Sequence, residues 1–217
     1  MKNLFILLSA FCFFALDASA QIKFGAKAGI SVPVSPNANS IIVNRRSPRN
    51  EFLFNAKSVG NGITLGVFAE QNLSEPFFLR GELLYNQFET TYELNYTWNS
   101  GPREFDSKIY TEKTVRIDMP ITLGVRLDAF EITSGVVARY VVSNENEMVA
   151  LSAYEETLNP FQLGLQAGVG LNLGNLNLGL AYQMDFANYG DHMTFNGNDL
   201  TIQNSPSRLV ASIGYRF

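Results

Sequence analysis

The segment from Thr114 to Asp128 alternates in polarity at every residue, which is the period of a β-strand. One face of this strand is apolar, and the opposite face carries Arg116, Asp118, Arg126 and Asp128. If the charged face met lipid, each arginine near the bilayer midplane would cost about 2–4 kcal/mol, against a typical net stability of about 5–15 kcal/mol. The pattern therefore predicts a strand with its apolar face towards lipid and its charges inside a closed sheet.

The same alternation recurs along the chain, including the last residues before the C-terminal Phe217. Phe68 and Leu84 are large apolar residues on otherwise polar faces, and Pro120 needs a bulge or a place where its missing N–H is tolerated. We predict eight strands: about 22–32, 62–73, a third from Phe77, and 114–128, 130–142, 161–173, 176–186 and 208–217.

The predicted connections alternate between long and short. The long ones are about 33–61, 96–109, 143–160 and 187–206, and the short ones are 73–76, 128–130 and 173–176. Outer-membrane barrels have long extracellular loops and short periplasmic turns, so the alternation places both termini in the periplasm. The segment 89–110 suggests an extension of two strands beyond the membrane, with a face switch and a bulge near Phe88.

These features predict an all-β fold, an eight-stranded antiparallel up-and-down transmembrane β-barrel with long extracellular loops and short periplasmic turns. The structural alternative is a soluble lipocalin-like barrel, which also has eight antiparallel strands. That alternative requires the opposite polarity, because its core would have to hold the ionisable face.

The N-terminus has a short positive start, an apolar run and an Ala18-Ser19-Ala20 site before Gln21. This pattern is typical of a secretory signal peptide, whereas a membrane anchor needs about 20 apolar residues. We predict a cleaved signal peptide over 1–20 and one barrel domain over 21–217. The only cysteine, Cys12, lies in the signal peptide, so disulfides and thiolate sites are excluded from the mature domain.

The formal net charge is −4, and the basic residues are spread along the chain. This weak acidic balance gives no footprint for nucleic acid, which we exclude as a partner. The 17 Gly, 17 Phe and 9 Tyr favour an all-β protein with aromatic girdles at the membrane interfaces.

The inward faces carry charges of both signs in similar number. An eight-stranded barrel is only wide enough for side chains to fill it, so we predict a paired network that plugs the lumen, with an open pore as the alternative. Inward glycines leave room for the long side chains. The predicted network is Lys23, Lys27, Glu70, Arg80, Glu82, Arg116, Asp118, Arg126, Asp128, Glu131, Arg139, Asp185, Arg208 and Arg216.

Two predicted loops differ in charge. The loop 33–61 carries a basic patch, and the loop 143–160 contains four glutamates and no basic residue. Guanidinium groups bind phosphate bidentately, so one hypothesis is contact with lipopolysaccharide or an acidic partner; the alternative is an ordinary solvated loop. The basic patch is Arg45, Arg46, Arg49 and Lys57.

Catalytic chemistry has little support in the sequence. The only histidine, His192, lies beside Asp191 and Thr194 in the last long loop, where a nucleophilic triad and a solvated loop histidine are both consistent with the pattern. One histidine without mature cysteine is too little for zinc, and the loop carboxylates are unspecific for calcium. We predict no enzyme activity, no metal site and no cofactor.

Several phrases resemble the PorT-like outer-membrane β-barrel family. They are FGAKAGISV (24–32), FFLRGELLYNQ (77–87), VRIDMPITLGVR (115–126), FQLGLQAGVGLNLG (161–174), LGLAYQMDF (178–186) and SRLVASIGYRF (207–217). The resemblance implies a barrel in the outer membrane of a Gram-negative cell. It also implies that Tyr215 and Phe217 form the assembly signal presented to the barrel-insertion machinery.

The resemblance further suggests a link to protein secretion. We therefore predict a non-enzymatic structural or interaction protein of the cell envelope, an accessory to protein secretion or envelope assembly. Its expected partners are outer-membrane lipid, lipopolysaccharide, the barrel-insertion machinery and other envelope or secretion proteins. The alternatives are a lipid A-modifying hydrolase that depends on His192 and a narrow solute channel.

Overall fold

The computed structural model describes residues 22–34, 41–42, 50–98, 105–150, 154–157, 159–187, 193–195, 198–199 and 207–217. The predicted signal peptide lies outside these residues, as do Arg45, Arg46, Arg49 and His192.

The described chain is built from β-strands and one short 3₁₀ helix, Glu147–Ala150. No helix in these residues is long and apolar enough to cross a membrane. The strands are β1 Ile22–Pro33, β2 Ile41–Ile42, β3 Asn50–Val59, β4 Gly62–Ser74, β5 Phe77–Trp98, β6 Phe105–Leu127, β7 Phe130–Asn146, β8 Tyr154–Glu156, β9 Phe161–Leu173, β10 Leu176–Asp185, β11 Met193–Phe195, β12 Asn198–Asp199 and β13 Ser207–Arg216.

Eight of these strands close into a ring. The order around it is β5, β4, β1, β13, β10, β9, β7 and β6, and β6 pairs with β5 to complete the circle. All neighbours are antiparallel, and the first and last strands pair directly, with Gly25 opposite Arg216. The predicted eight-stranded antiparallel architecture is confirmed.

The side-chain polarity of the ring is that of a membrane protein. Apolar residues on the outer face are exposed, as Leu165 and Val136 are, whereas Val137 and Arg139 next along β7 are completely buried. Charged and polar residues make up much of the buried interior. A soluble lipocalin-like barrel would have the opposite arrangement, so that alternative is wrong.

The two ends of the barrel differ. Short turns at 75–76, 128–129 and 174–175 join neighbouring strands at one end, which we call the turn end. At the opposite end, the loop end, β5 and β6 extend to 22 and 23 residues, about twice the 9–11 residues that cross a membrane. The predicted extension of these two strands is therefore present.

Two details of the sequence interpretation near this extension are wrong. The predicted loop 33–61 contains β3, which pairs with the outer half of β5, beyond the place where β4 begins. The predicted face switch near Phe88 is also absent: the β5–β6 register runs without a shift past Phe88, whose ring lies among inward arginines. The pattern suggested a switch because an aromatic residue interrupts a polar column.

Pro120 lies inside a long strand. The β5–β6 ladder lacks the two pairs at Glu82 and Leu83, which would face Pro120 and Met119, and resumes in the same register on both sides. The proline has no N–H to donate, so the ladder is locally interrupted without a bulge in β5.

A small second layer covers the extension. The three-stranded sheet of β8, β11 and β12 and the 3₁₀ helix come from the connections 143–160 and 187–206. The buried apolar side chains at this end are Tyr92, Tyr110, Met148, Tyr154 and Met193. The extension therefore has a small core of its own beyond the ring.

We expect Gly135→Ala to destabilise the barrel by about 1–3 kcal/mol, because overpacking forces backbone shifts. A Cβ at Gly135 would meet the carbonyl oxygen of Ile121 and would lie 2.7 Å from the Cα of Thr122, both backbone atoms of the neighbouring strand. Gly214→Ala is the matched control, since its nearest neighbour would be 3.4 Å away, an ordinary contact. Urea unfolding midpoints of the two refolded variants test this difference, and equal midpoints would contradict it.

Candidate functional site

The inward charged side chains gather in two clusters, one towards each end of the ring. The turn-end cluster consists of Glu70, Arg80, Arg126, Glu131 and Arg216. The loop-end cluster consists of Arg116, Asp118, Arg139, Asp185 and Arg208. Each cluster sets three guanidinium groups against two carboxylates, a formal charge of +1.

Arg80 is the best-paired cation of the turn-end cluster. Its Nε and Nη2 donate to Glu70 Oε2 at 3.0 and 2.6 Å, and its Nη1 and Nη2 donate to Glu131 at 2.8 and 3.1 Å. Arg126 Nη2 donates to the other oxygen of Glu70 at 2.7 Å. Each carboxylate is thus shared between arginines from different strands, which ties four strands together.

Glu131 is the central acceptor of this cluster. Besides Arg80, it accepts hydrogen bonds from Asn172 Nδ2 at 2.9 Å and Asn177 Nδ2 at 3.1 Å. Arg216 lies 3.4 Å from Glu131 and donates to Asn172 Oδ1 at 2.6 Å. The last residue before Phe217 is therefore anchored inside the barrel.

The loop-end cluster has the same charges but looser geometry. Arg116 Nε lies 2.9 Å from Asp118 Oδ1, and Arg139 Nη1 lies 2.8 Å from Asp185 Oδ1. Neither of these two contacts has hydrogen-bond geometry, although Arg116 Nη2 donates to Asp118 Oδ2 at 3.1 Å. The contacts from Arg116 and Arg208 to Asp185 Oδ2 are both 3.4 Å long.

An inward phenylalanine accompanies each cluster. The guanidinium carbons of Arg80 and Arg126 lie 5.0 and 4.5 Å from the centre of the Phe78 ring. Arg116 and Arg208 lie 5.1 and 4.8 Å from the centre of the Phe88 ring. Ring faces attract cations, so these phenylalanines help to stabilise two guanidinium groups each. Sequence reasoning missed this role, although an aromatic residue on a charged strand face was its signal.

Between the clusters, further polar contacts join side chains on the inner face, and two of them are between directly paired residues of neighbouring strands. Lys27 donates to Glu82 at 2.8 Å, and Gln183 donates to Gln166 at 2.7 Å. Thr64 hydrogen-bonds Asn86, and all of these side chains except Lys27 are buried. Polar contacts therefore continue from one cluster to the other.

The structure places most of the predicted network in these contacts. The residues it brings together are Lys27, Glu70, Arg80, Glu82, Arg116, Asp118, Arg126, Glu131, Arg139, Asp185, Arg208 and Arg216. Lys23 is half-buried at the turn end, in register with Glu70. Asp128 is a correction: it is exposed in the turn with φ 54°, because the strand ends one residue before it.

A second polar group lies in the extension at the loop end. Tyr92 donates to Glu112 at 2.6 Å, and Asn144 Nδ2 donates to Glu112 at 2.7 Å and to Glu156 at 2.6 Å. This chain of bonds links β5, β6, β7 and β8. Glu156, which the sequence analysis placed in the acidic loop 143–160, forms part of this folded contact.

Tyr154 belongs to the same region. Burial raises the pKa of Tyr154, and the nearby Glu156 and Glu112 raise that pKa further. Its hydroxyl therefore stays protonated at neutral pH, where it accepts a hydrogen bond from Asn146 at 2.7 Å. The effect of these groups is to fix β8 against the end of β7.

Other predicted site residues lie elsewhere. Lys57 belongs to β3, while Arg45, Arg46, Arg49 and His192 lie outside the described residues. Tyr215 and Phe217 are exposed on the outer face at the turn end, with ring centres 6.0 Å apart. The described residues contain no group of three histidine, cysteine or acidic side chains that could hold a metal ion.

Comparison with solved structures gives outer-membrane proteins at low sequence identity. OprG from Pseudomonas aeruginosa is 10% identical with a TM-score of 0.49, over 91% of this chain and 97% of that protein. The protease OmpT from Escherichia coli is 10% identical with a TM-score of 0.44, over 91% and 94%. Ail from Yersinia pestis is 11% identical with a TM-score of 0.40, over 91% and 100%.

These likenesses carry no information about activity. No match was found among curated proteins. A family model described as an outer membrane protein beta-barrel domain matches residues 17–189, which is most of the chain. By this match, the chain belongs to the outer membrane protein β-barrel domain family.

Proposed function

We propose that this outer-membrane barrel is a closed, non-enzymatic protein with a structural or interaction role in the cell envelope. The observation that carries the proposal is the filled lumen. Arg139, Phe78 and Val137 on the inner face are completely buried, and the two ion clusters with the polar layer between them occupy the interior. A barrel filled in this way acts on other molecules through its surface.

The extension at the loop end offers a rigid surface on which another protein could bind. Within it β5 is paired on both sides, with β3 and with β6, and the hydrogen bonds of Glu112 and Asn144 hold the second layer to it. Ile109 lies on this extension and is exposed, seven residues beyond Arg116 of the loop-end cluster. We propose Ile109 as one point of contact with another protein, because it is exposed on the part of β6 that extends beyond the ring.

The resemblance to PorT-like barrels supports a finer version of the proposal, an accessory role in protein secretion or envelope assembly. In this version the turn end and both termini face the periplasm, as in other barrels with short turns on that side. The exposed Tyr215 and Phe217 are then presented on the periplasmic side to the insertion machinery. The loop end reaches lipopolysaccharide and external partners.

A mild-detergent pull-down of the tagged protein from native outer membranes tests the interaction role. We expect a stoichiometric partner, identified by mass spectrometry, that is lost from the Ile109→Arg variant. Val149→Arg is the matched control, because Val149 is also exposed but lies in the 3₁₀ helix. Recovery of the barrel alone from native membranes under several mild detergents would contradict an accessory role.

Single-channel recording tests whether the lumen is closed. We expect no conductance above background from the protein reconstituted in planar bilayers, because inward side chains fill an eight-stranded barrel and polar pairs occupy its inner face at several levels. The Arg80→Ala variant is the positive control and should conduct, because it lacks the side chain that bridges Glu70 and Glu131. Steady conductance from the unmodified protein would favour the narrow channel instead.

A further inference from the structure

The two clusters have the same charge but differ in how it is compensated. In the turn-end cluster, all three nitrogens of Arg80 donate hydrogen bonds, and the side chain of Arg126 is 22% exposed. Water therefore solvates part of the excess positive charge at that end, through the Arg126 guanidinium group. Asn172 and Asn177 donate two further hydrogen bonds to the Glu131 carboxylate.

Arg139 in the loop-end cluster is in the opposite situation. Arg139 is 0% exposed. Its Nε, Nη1 and Nη2 atoms all lack a hydrogen-bond acceptor among the described residues. Nη1 is in ionic contact with Asp185 and Nε with Asp118, at 2.8 and 3.6 Å, while Nη2 has neither kind of contact. Buried polar groups normally have partners, so this guanidinium group is a strong exception.

The neighbours of Arg139 do not remove the excess charge. Asp118 and Asp185 are each shared with other arginines, and the Phe88 ring contacts Arg116 and Arg208. The Oδ1 atoms of both aspartates are buried without hydrogen-bond geometry, but each lies within 2.9 Å of an arginine nitrogen. A buried charge without compensation is costly, and a bound anion would supply the compensation that these neighbours leave incomplete.

We propose that the loop-end cluster binds one small monovalent anion with the chemistry of chloride, held by the N–H groups of Arg139 that lack hydrogen-bond acceptors, Nη2 above all. A single negative charge neutralises the cluster, whereas a second one would recreate an imbalance of the opposite sign. The site is separate from any partner surface on the extension. Its effect is to stabilise the folded barrel, because an anion that binds only the folded state shifts the equilibrium towards it.

Thermal unfolding of the refolded full-length mature chain tests the proposal. Sodium chloride is exchanged for sodium gluconate at constant ionic strength, and the unfolding midpoint is read from heat-modifiable gel migration. At a chloride concentration about tenfold above the dissociation constant, we expect chloride to raise the unfolding midpoint by about 3–6 °C. Equal midpoints in the two salts would overturn the proposal and leave water to satisfy the N–H groups of Arg139.

Three variants separate a specific anion from a general salt effect. Arg139→Met leaves two arginines against two aspartates, so the chloride shift should disappear. Arg126→Met makes the same chemical change in the turn-end cluster, and the shift should remain. Asp118→Asn raises the excess charge at the loop end, so its shift should exceed that of the unmodified protein.

A chloride shift that survives in Arg139→Met would overturn the proposal. If that variant does not fold, bromide replaces chloride in crystals of the unmodified protein. An anomalous peak beside the Arg139 guanidinium group would support the anion site. Its absence in crystals grown in bromide would overturn it.

Discussion

Replacing Glu131 with glutamine is expected to destabilise the barrel by about 3–5 kcal/mol, the cost of removing one partner from a buried ion pair. Glu131 is only 3% exposed and contacts three arginines and two asparagines. Glutamine keeps the shape but removes the charge, which leaves Glu70 alone against Arg80, Arg126 and Arg216. Urea unfolding of the variant refolded in lipid vesicles measures the loss as a lower midpoint.

The matched control for this prediction is Glu145→Gln, the same chemical change in the same strand. Glu145 is exposed near the loop end of β7, so its substitution should change stability by less than about 0.5 kcal/mol. If the two variants unfold at the same urea concentration, the turn-end cluster does not stabilise the barrel. A loss confined to Glu131→Gln supports the pairing that the structure shows.

The second large effect is expected from Val136→Arg, which should cost about 2–4 kcal/mol and reduce insertion into vesicles. Val136 lies in the middle of β7 on the outer face and is 53% exposed. Its neighbours across the sheet are Ile121 and Leu165, which are also apolar and exposed. A charge at this depth must displace lipid or draw water into the bilayer, so the folded state loses stability.

Val149→Arg is the control that distinguishes lipid from water. Val149 is 60% exposed, slightly more than Val136, but it lies in the 3₁₀ helix outside the ring. In a soluble protein both substitutions would be tolerated, because both side chains are on the surface. Equal insertion yields and unfolding midpoints for the two variants would show that the outer face of β7 does not meet lipid.

The ring itself was predictable because lipid imposes a strict rule on every crossing strand. Residues of opposite polarity must alternate, and the alternation revealed the eight segments, their faces and their short turns. Phe88 shows where this reasoning failed. Its aromatic side chain on the inner face suggested a bulge, whereas the structure uses it to contact Arg116 and Arg208.

The sequence predicted most of the residues that belong to the candidate site, but it did not predict which of them pair with each other. Alternation placed Arg80, Glu131 and Arg139 on the inner face, but these residues lie on different strands. Which charges meet depends on the register and shear of the closed sheet, which a single strand pattern does not contain. Asp128 illustrates the limit, since a shift of one residue at the strand end moves it from the lumen into a turn.

The sequence by itself determined the fold class, the lipid-facing surface and most of the buried charges of the ring, because each follows from a two-residue period and the cost of charge in lipid. The tertiary structure alone decided the separation into two clusters, the full pairing of Arg80 and the incomplete pairing of Arg139. It also decided that β3 and β8 fold onto the extension. These are contacts between distant parts of the chain, which only the closed barrel brings within hydrogen-bonding distance.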